Sequence, residues 1–303
     1  MNLFLTGATG YVGRVLLRRL LADGHVVEAL VRPAADRALP THPHLSWLQA
    51  DLRDLGLVAE AARRADATIH TAAEHAGAQR EADDAATDGF IEGLRGSGKA
   101  LISTSATPVY GDTGLSPRGE AGPIATPHPL RAWRIRNDDR IASEPHGFRG
   151  VVLRPPNVYG AGGGPIAMRI AAAAKAGFAQ YIGDGASLWS TVHVFDLVEL
   201  YLAVLRDDRA HGIYNAASDE VLSRHALAEG IALTLGLDAR AITLEEGRAI
   251  WGFLADLGMI NQVISAARAR EALGWVARRR PLMSYLRAGD YGAETVDDVL
   301  VSG

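Results

Sequence analysis

The sequence predicts an α/β fold: a doubly wound parallel sheet followed by a smaller C-terminal domain. Three observations predict it. The first half alternates short apolar runs with helix-length segments, a pattern that builds right-handed βαβ units around a parallel sheet. The first apolar run enters a glycine-rich turn, TGATGYVG, directly ahead of a helical segment. The second half loses this regularity after the run GAGGGP, Gly160 to Pro165. A chain of 303 residues fits about two domains. The boundary is expected near Gly160, with 1–160 binding a dinucleotide and 161–303 binding substrate, some later segments returning to the first domain.

The elements follow in order. NLFLT (Asn2 to Thr6) reads as a strand. In YVGRVLLRRLLADG, Val12, Val15, Leu16, Leu20 and Leu21 recur at helical spacing and Gly24 ends the helix. HVVEALV is a buried strand, LSWLQA a third, and LGLVAEAARRA a helix between it and the strand ATIHTA. DDAATDGFIEGLRG is helical, ALISTS a strand, a helix is expected from Leu130, and GVVLRPP is another strand. Later helices are IAMRIAAAAKAG, a segment from about Asp196, SRHALAEGIALTLG and SAARAREALGW. EEGRAIWGFLADLGMI (Glu245 to Ile260) is an amphipathic candidate for a wall of the substrate domain.

Composition removes several classes. With Cys 0 there is no disulfide framework, thiolate nucleophile or thiolate metal site. A formal charge of -4 argues against a general nucleic-acid binder. No apolar run approaches a bilayer span, and the N-terminus has no basic leader, so a cytoplasmic protein is expected. No His, Asp and Glu set has metal-ligand spacing.

The turn after the first strand carries the clearest chemistry. Gly7, Gly10 and Gly13 form T-G-x-x-G-x-x-G, opening at Thr6 and including Thr9, Tyr11 and Val12. Glycines there let the backbone approach a pyrophosphate, and the following helix offers free N–H groups and a positive dipole end. The plain alternative is a glycine-rich turn holding nothing, but its place after strand one favours a Rossmann-type dinucleotide site. The second strand ends ALVRP, so Arg32 stands where an acidic residue would hold a ribose 2′-OH. A guanidinium suits a 2′-phosphate instead, which favours NADP(H), with NAD(H) also accepted and Arg37 a possible helper. Asp51 and Leu52, in ADL, are placed for the adenine amine; a helix cap is the alternative for Asp51.

Together these motifs resemble the extended short-chain dehydrogenase/reductase family over almost the whole chain. TGATGYVG resembles its cofactor fingerprint and ADLRD its adenine segment. HTAA, which includes Thr71, Ala72 and Ala73, resembles the motif beside the cofactor on strand four. TSATPVYG resembles the serine segment with Pro108 inserted. LRPPNVYGAGGG, with Pro155, Asn157 and Val158, resembles the loop along the nicotinamide. GDGASLWSTVHVFDL and ARAREALGW complete the order. The resemblance implies a Tyr proton donor and, four residues on, a Lys that lowers its pKa. PLRAWRIRNDDR contains neither. One frame puts Trp133 and Asn137 at those positions; a shifted frame gives Leu130 and Arg134. Asn137 is a candidate for hydrogen-bonding the ribose without charge. WRIRNDDR, LRPPNVYGAGGG and DGASLWSTVHV resemble atypical members lacking the pair, among them ketoreductases of aromatic-polyketide pathways.

Ser105 is the candidate for stabilising a substrate carbonyl as charge develops, with Thr104 and Thr107 as alternatives in register. Tyr110 and Tyr159 read as packing residues, His193 as a structural residue near Asp196, and GAGGG as a lid. Trp133, Trp189, Trp251, Phe253 and Met259 are candidates for a flat aromatic pocket or, one by one, for core. The expectation is an NADPH-dependent ketoreductase acting on a bulky aromatic small-molecule ketone of polyketide origin. Its rivals are a sugar-nucleotide epimerase or dehydratase and a non-catalytic NADP-binding regulator. Oligomeric state is not legible.

Overall fold

A computed structural model of the chain describes residues 1–33, 39–73, 79–122, 124, 126–127, 132–143, 145–252 and 254–301. Arg37, Leu130 and Phe253 lie outside the described residues.

Seven parallel strands form the central sheet: β1 (Asn2–Thr6), β2 (Val26–Val31), β3 (Leu45–Gln49), β4 (Ala67–His70), β5 (Ala100–Thr104), β6 (Arg149–Arg154) and β10 (Gly212–Asn215). Their order is β10-β6-β5-β4-β1-β2-β3. The direction of winding therefore reverses between β1 and β4, and ligands of such sheets bind beyond the carboxyl ends of the strands at that point.

Alternate residues of β1 serve opposite cores. Leu3 and Leu5 pack with α1 (Tyr11–Ala22) and α6 (Val194–Arg206), through Val15, Leu16, Leu20 and Val198. Phe4 faces α2 (Leu55–Arg64), α3 (Gln79–Leu94) and α4 (Ala132–Ala142), meeting Val58, Phe90 and Ile141. Both faces of the sheet are covered, which is why its strands read as continuous apolar runs. α2 starts where Asp54 accepts the Leu57 N–H, so the cap in ADLRD is Asp54 rather than Asp51.

After β6 the chain leaves the sheet and later returns. β7 (Asn157–Tyr159), β9 (Leu188–His193) and β11 (Val221–Ser223) form a second sheet; β8 (Ala179–Ile182) pairs with β12 (Ala239–Ile242). α5 (Gly164–Ala176), α7 (Arg224–Leu235) and α11 (Leu282–Ala288) surround a third core of Tyr159, Ile166, Leu227 and Tyr285. α6 and β10 belong spatially with the central sheet: β10 pairs Gly212 with Val151 of β6. α10 (Ala267–Leu273) lies against them.

The amphipathic segment 245–260 is not one helix. α8 (Leu244–Trp251) is fixed at its start by a reciprocal cap between Thr243 and Glu246, and it stops at Gly252, whose φ is 59°. α9 (Leu254–Leu257) is a separate short helix. No described helix is long and apolar enough to cross a membrane.

Candidate active site

A cleft of about 380 Å³ opens beyond β1, β2 and β4. Its walls are Gly7, the run from Thr9 to Gly13, Arg32, Asp51 with Leu52, and Thr71 to Ala73. Gly7 has φ +79°, which favours glycine. A Cβ on Gly13 would lie 2.0 Å from the Gly7 carbonyl oxygen, so the turn closes only without that side chain. Gly10 is the N-cap of α1, with no side-chain cap, and a Cβ there would meet only the Gly7 oxygen, at 3.1 Å. The first N–H groups of α1 therefore face the cleft without a side-chain acceptor. This cradle fits a dinucleotide pyrophosphate.

Around it, Arg32 is exposed at the end of β2. Asp51 Oδ1 accepts the Arg53 N–H at 2.9 Å and its guanidinium at 3.0 Å, which leaves Oδ2 for a ligand. Those bonds hold the Asp51 carboxyl below its ordinary range, with Arg32 adding to the effect. Thr6 stands apart from the cleft wall. It is fully buried and its hydroxyl meets His70 Nδ1 at 2.7 Å, so its part is to fix the strand ends beneath the turn. Thr71 does likewise while facing the cleft, donating to the Thr6 carbonyl at 2.8 Å.

The end of β5 holds a different network. Ser105 is buried, and its hydroxyl donates to Asp138 Oδ2 at 2.8 Å. The same oxygen receives Arg154 at 2.7 and 2.9 Å. Burial pushes the Asp138 carboxyl up, against the pull of Arg154. With its proton directed at Asp138, Ser105 offers lone pairs rather than a donor. The simple donor role expected of it needs a rotated hydroxyl or a protonated Asp138.

Asn137 is already engaged on one side of its amide. Its Nδ2 donates to Asp83 Oδ2 and to Asp84 Oδ1, both at 2.8 Å, and the residue is 2% exposed. Both amide protons are taken by carboxylates on α3, while Oδ1 is buried without a partner and can accept from a ribose hydroxyl. Arg134 is the cation of α4 that reaches the strand ends, binding Asp83 at 2.8 Å and the Thr104 carbonyl. Of the two frames, the shifted one thus puts a cation, Arg134, beside the end of β5, and its other member, Leu130, lies outside the described residues. Burial alone would raise the Asp83 carboxyl, but Arg134, His70 and Asn137 hold it well below its ordinary range.

Beyond β5 and β6 lies a second cavity, about 190 Å³, lined mainly by apolar groups. Ala106, Thr107, Pro156 and Asn157 form one side, and Trp189, Trp251, Leu254 and Leu257 the other. Of the aromatic candidates, Trp189 and Trp251 reach it. Met259 lines a separate depression, and Trp133 stacks with Arg134. Pro155 and Val158 are buried beside this cavity rather than on its wall; the Pro155 carbonyl accepts the Thr107 N–H at 3.1 Å. Thr104 is bound to the His70 carbonyl and to Tyr201.

The GAGGG run, expected as a lid, is anchored by hydrogen bonds at Gly160 and Gly163. Tyr11 donates to the Gly160 carbonyl at 2.8 Å, and Tyr291 donates to that of Gly163 at 2.8 Å. Gly160, at φ +101°, sits so close to His193 that a Cβ would be 2.1 Å from Nε2. His193 is fully buried; its Nδ1 accepts the Phe195 N–H, and its Nε2 meets Glu294, not Asp196, at 2.8 Å. Asp196 instead accepts the Arg278 and Arg279 N–H groups. Tyr110 donates to Asn215 and Tyr159 to the Arg280 carbonyl, so both hydroxyls serve packing.

Glu294 makes the anchor pH-dependent. Burial raises its carboxyl, but hydrogen bonds from His193 and Tyr285 bring it down to about 2. A folded value below the unfolded one stabilises the fold above about pH 4.3. That contribution disappears as pH falls toward about 2. Thermal melts at stepped pH should show a steeper loss over this window for wild type than for Glu294→Gln. Parallel slopes would contradict the assignment.

The family description "NAD dependent epimerase/dehydratase family" matches residues 3–217. The chain belongs to that family. Its members use NAD(P), and the cleft described above is where this chain would hold it. An uncharacterized protein of Schizosaccharomyces pombe is 30% identical, covering 96% of this chain and 100% of its own length. The dTDP-4-dehydro-6-deoxy-D-allose reductase of Streptomyces bikiniensis is 28% identical over 87% of this chain and 90% of its own. In fold the chain is similar to the dTDP-glucose 4,6-dehydratase DesIV of Streptomyces venezuelae, with TM-score 0.80, 22% identity and 96% of each chain covered. The chain is therefore an enzyme of the NAD(P)-dependent extended short-chain dehydrogenase/reductase kind.

Among the described residues, the buried charged groups Asp83, Asp138, Arg154 and Arg224 carry no motif that marks them in the sequence. An Arg inside the apolar strand GVVLRPP was the available signal, because a buried guanidinium needs an acceptor.

Proposed function

We propose that the protein is an NADPH-dependent ketoreductase that reduces a bulky aromatic ketone, a polyketide being the class the sequence resemblance implies. The observation that carries this reading is the apolar cavity walled by Trp189 and Trp251 at the end of β5 and β6. Such a wall suits a flat apolar body better than a hexose, whose hydroxyls require polar partners. When bound, the reduced nicotinamide supplies a hydride. The glycine turn and the α1 N-terminus would hold its diphosphate, and Arg32 the 2′-phosphate. No residue in 129–140 is a Tyr or a Lys, and Ser105 is tied to Asp138. The proton comes from water, from Ser105 through a protonated Asp138, or from a phenol beside the ketone, which would polarise the carbonyl internally.

A sugar-nucleotide epimerase or dehydratase is the second reading. It is favoured by relatives such as the UDP-glucose 4-epimerase of Mycolicibacterium smegmatis, 25% identical over 91% of this chain and 93% of its own. NADPH consumption with a hydroxyaryl ketone, set beside conversion of UDP-glucose, separates the two. Turnover of the sugar nucleotide alone would reject the ketoreductase reading.

Cofactor preference follows from Arg32. A charge-assisted phosphate contact contributes about 1.5–3 kcal/mol, so Arg32→Ala should weaken NADPH binding roughly tenfold or more and leave NADH nearly unchanged. Equal affinity of wild type for both cofactors would contradict this.

A further inference from the structure

The far wall of the apolar cavity carries an unbalanced charge. Arg169 of α5 lines it, and its guanidinium carbon lies 4.6 Å from the Trp251 ring centre and 5.1 Å from that of Trp189. Arg224, the first residue of α7, lies against the Trp189 ring. Arg169, Arg224 and Trp251 also line a recess of about 10 Å³ behind the cavity. Among the described residues neither arginine has a carboxylate partner. Arg169 is only partly buried, whereas Arg224, 5% exposed, gives one bond to the Leu257 carbonyl while its Nε and Nη1 have no partner among the described residues.

Several effects make this arrangement costly without a ligand. Arg224 is buried, and buried charges are ordinarily paired. A cation in the first turn of a helix opposes the helix dipole, and Arg224 holds that position in α7. The indole faces attract the guanidiniums but do not neutralise them. Burial lowers Arg169 to about 10, and burial together with Arg169 lowers Arg224 well below its ordinary value. At about 10 Arg169 still carries its charge at neutral pH, and no described carboxylate balances it.

We propose that Arg169, with Arg224 behind it, forms a subsite for an oxyanion, a carboxylate or a phosphate, at one end of an otherwise apolar substrate. Guanidinium forks match both groups. The recess, at about 10 Å³, has room for a water at most, so the oxyanion sits in the main cavity beside Arg169. This deepens the ketoreductase reading and rests on it only in taking the cavity as the substrate site.

Calorimetric titration of the full chain with 2-naphthoate, 2-naphthyl phosphate and neutral 2-naphthamide tests it. At least one anion should bind tenfold or more tightly than the amide. Arg169→Met should abolish that preference, and Arg224→Gln should reduce it. In thermal melts the anion should raise Tm for wild type but not for Arg169→Met, a readout that also reports whether the variant is folded. Equal affinity for anions and amide, no anion binding, or a preference that survives in folded Arg169→Met overturns the proposal. NADPH affinity is measured on the same samples. Its retention separates failure of the anion subsite from failure of the reductase assignment.

Discussion

Gly10→Val is expected to abolish NADPH binding while leaving the fold in place. The first added carbon meets only the Gly7 oxygen, at 3.1 Å, which a slight shift relieves. The remaining methyl groups project from the start of α1 into space a pyrophosphate would need. Gly13→Ala makes the useful contrast. Its Cβ would fall 2.0 Å from the Gly7 oxygen and 2.7 Å from Thr71 Oγ1, so the turn itself must open. Cofactor titration beside circular dichroism should show lost binding with unchanged helicity for Gly10→Val, and reduced thermal stability for Gly13→Ala. Unchanged cofactor affinity in Gly10→Val would remove the cleft as the dinucleotide site.

The second large effect is expected on the substrate rather than on the protein. If a neighbouring phenol polarises the ketone, methylating that phenol should slow reduction by about the factor of general acid catalysis, 10²–10⁴. Ser105→Ala, Tyr110→Phe and Tyr159→Phe should each keep most of kcat. Tyr110 and Tyr159 are committed to Asn215 and to the Arg280 carbonyl. Ser105→Ala removes a donor to Asp138 but leaves both Arg154 contacts. Single-turnover rates on the hydroxyaryl ketone and its methyl ether decide the matter. A fall of the full acid–base factor in one variant would identify a protein acid, and Ser105 acting through protonated Asp138 is the arrangement such a fall would expose.

The glycine turn, the order of the early strands and the glycine-capped helices were legible because each depends on local chemistry. Gly7, Gly10 and Gly13 announce a turn by spacing alone, and Leu3 to Leu5 a strand buried on both faces. Less legible were features that depend on chain crossings. Nothing near Gly212 signals that it pairs with Val151. GAGGG resembles a flexible lid until Tyr11 and Tyr291, 149 and 128 residues away, are seen to hold it. Asn137 fitted a ribose-binding place by count, but its neighbours across the helix pair are Asp83 and Asp84, and those decide its amide. The buried pairs Arg134–Asp83 and Arg154–Asp138 were hidden for the same reason, since each joins separate elements.

On the proposed function, this family member reduces an aryl ketone with hydride from NADPH and without a tyrosine acid. Deuterium transfer tests it most directly. The protein is incubated with NADPH deuterated at the transferred position, a hydroxynaphthyl ketone and a dTDP-4-keto-6-deoxy sugar in competition, and both products are analysed by mass spectrometry. Deuterium at the carbinol carbon of the aryl product, retained in Ser105→Ala, is the predicted result. Deuterium found only in the sugar product, or in neither product while NADPH remains bound, would contradict it.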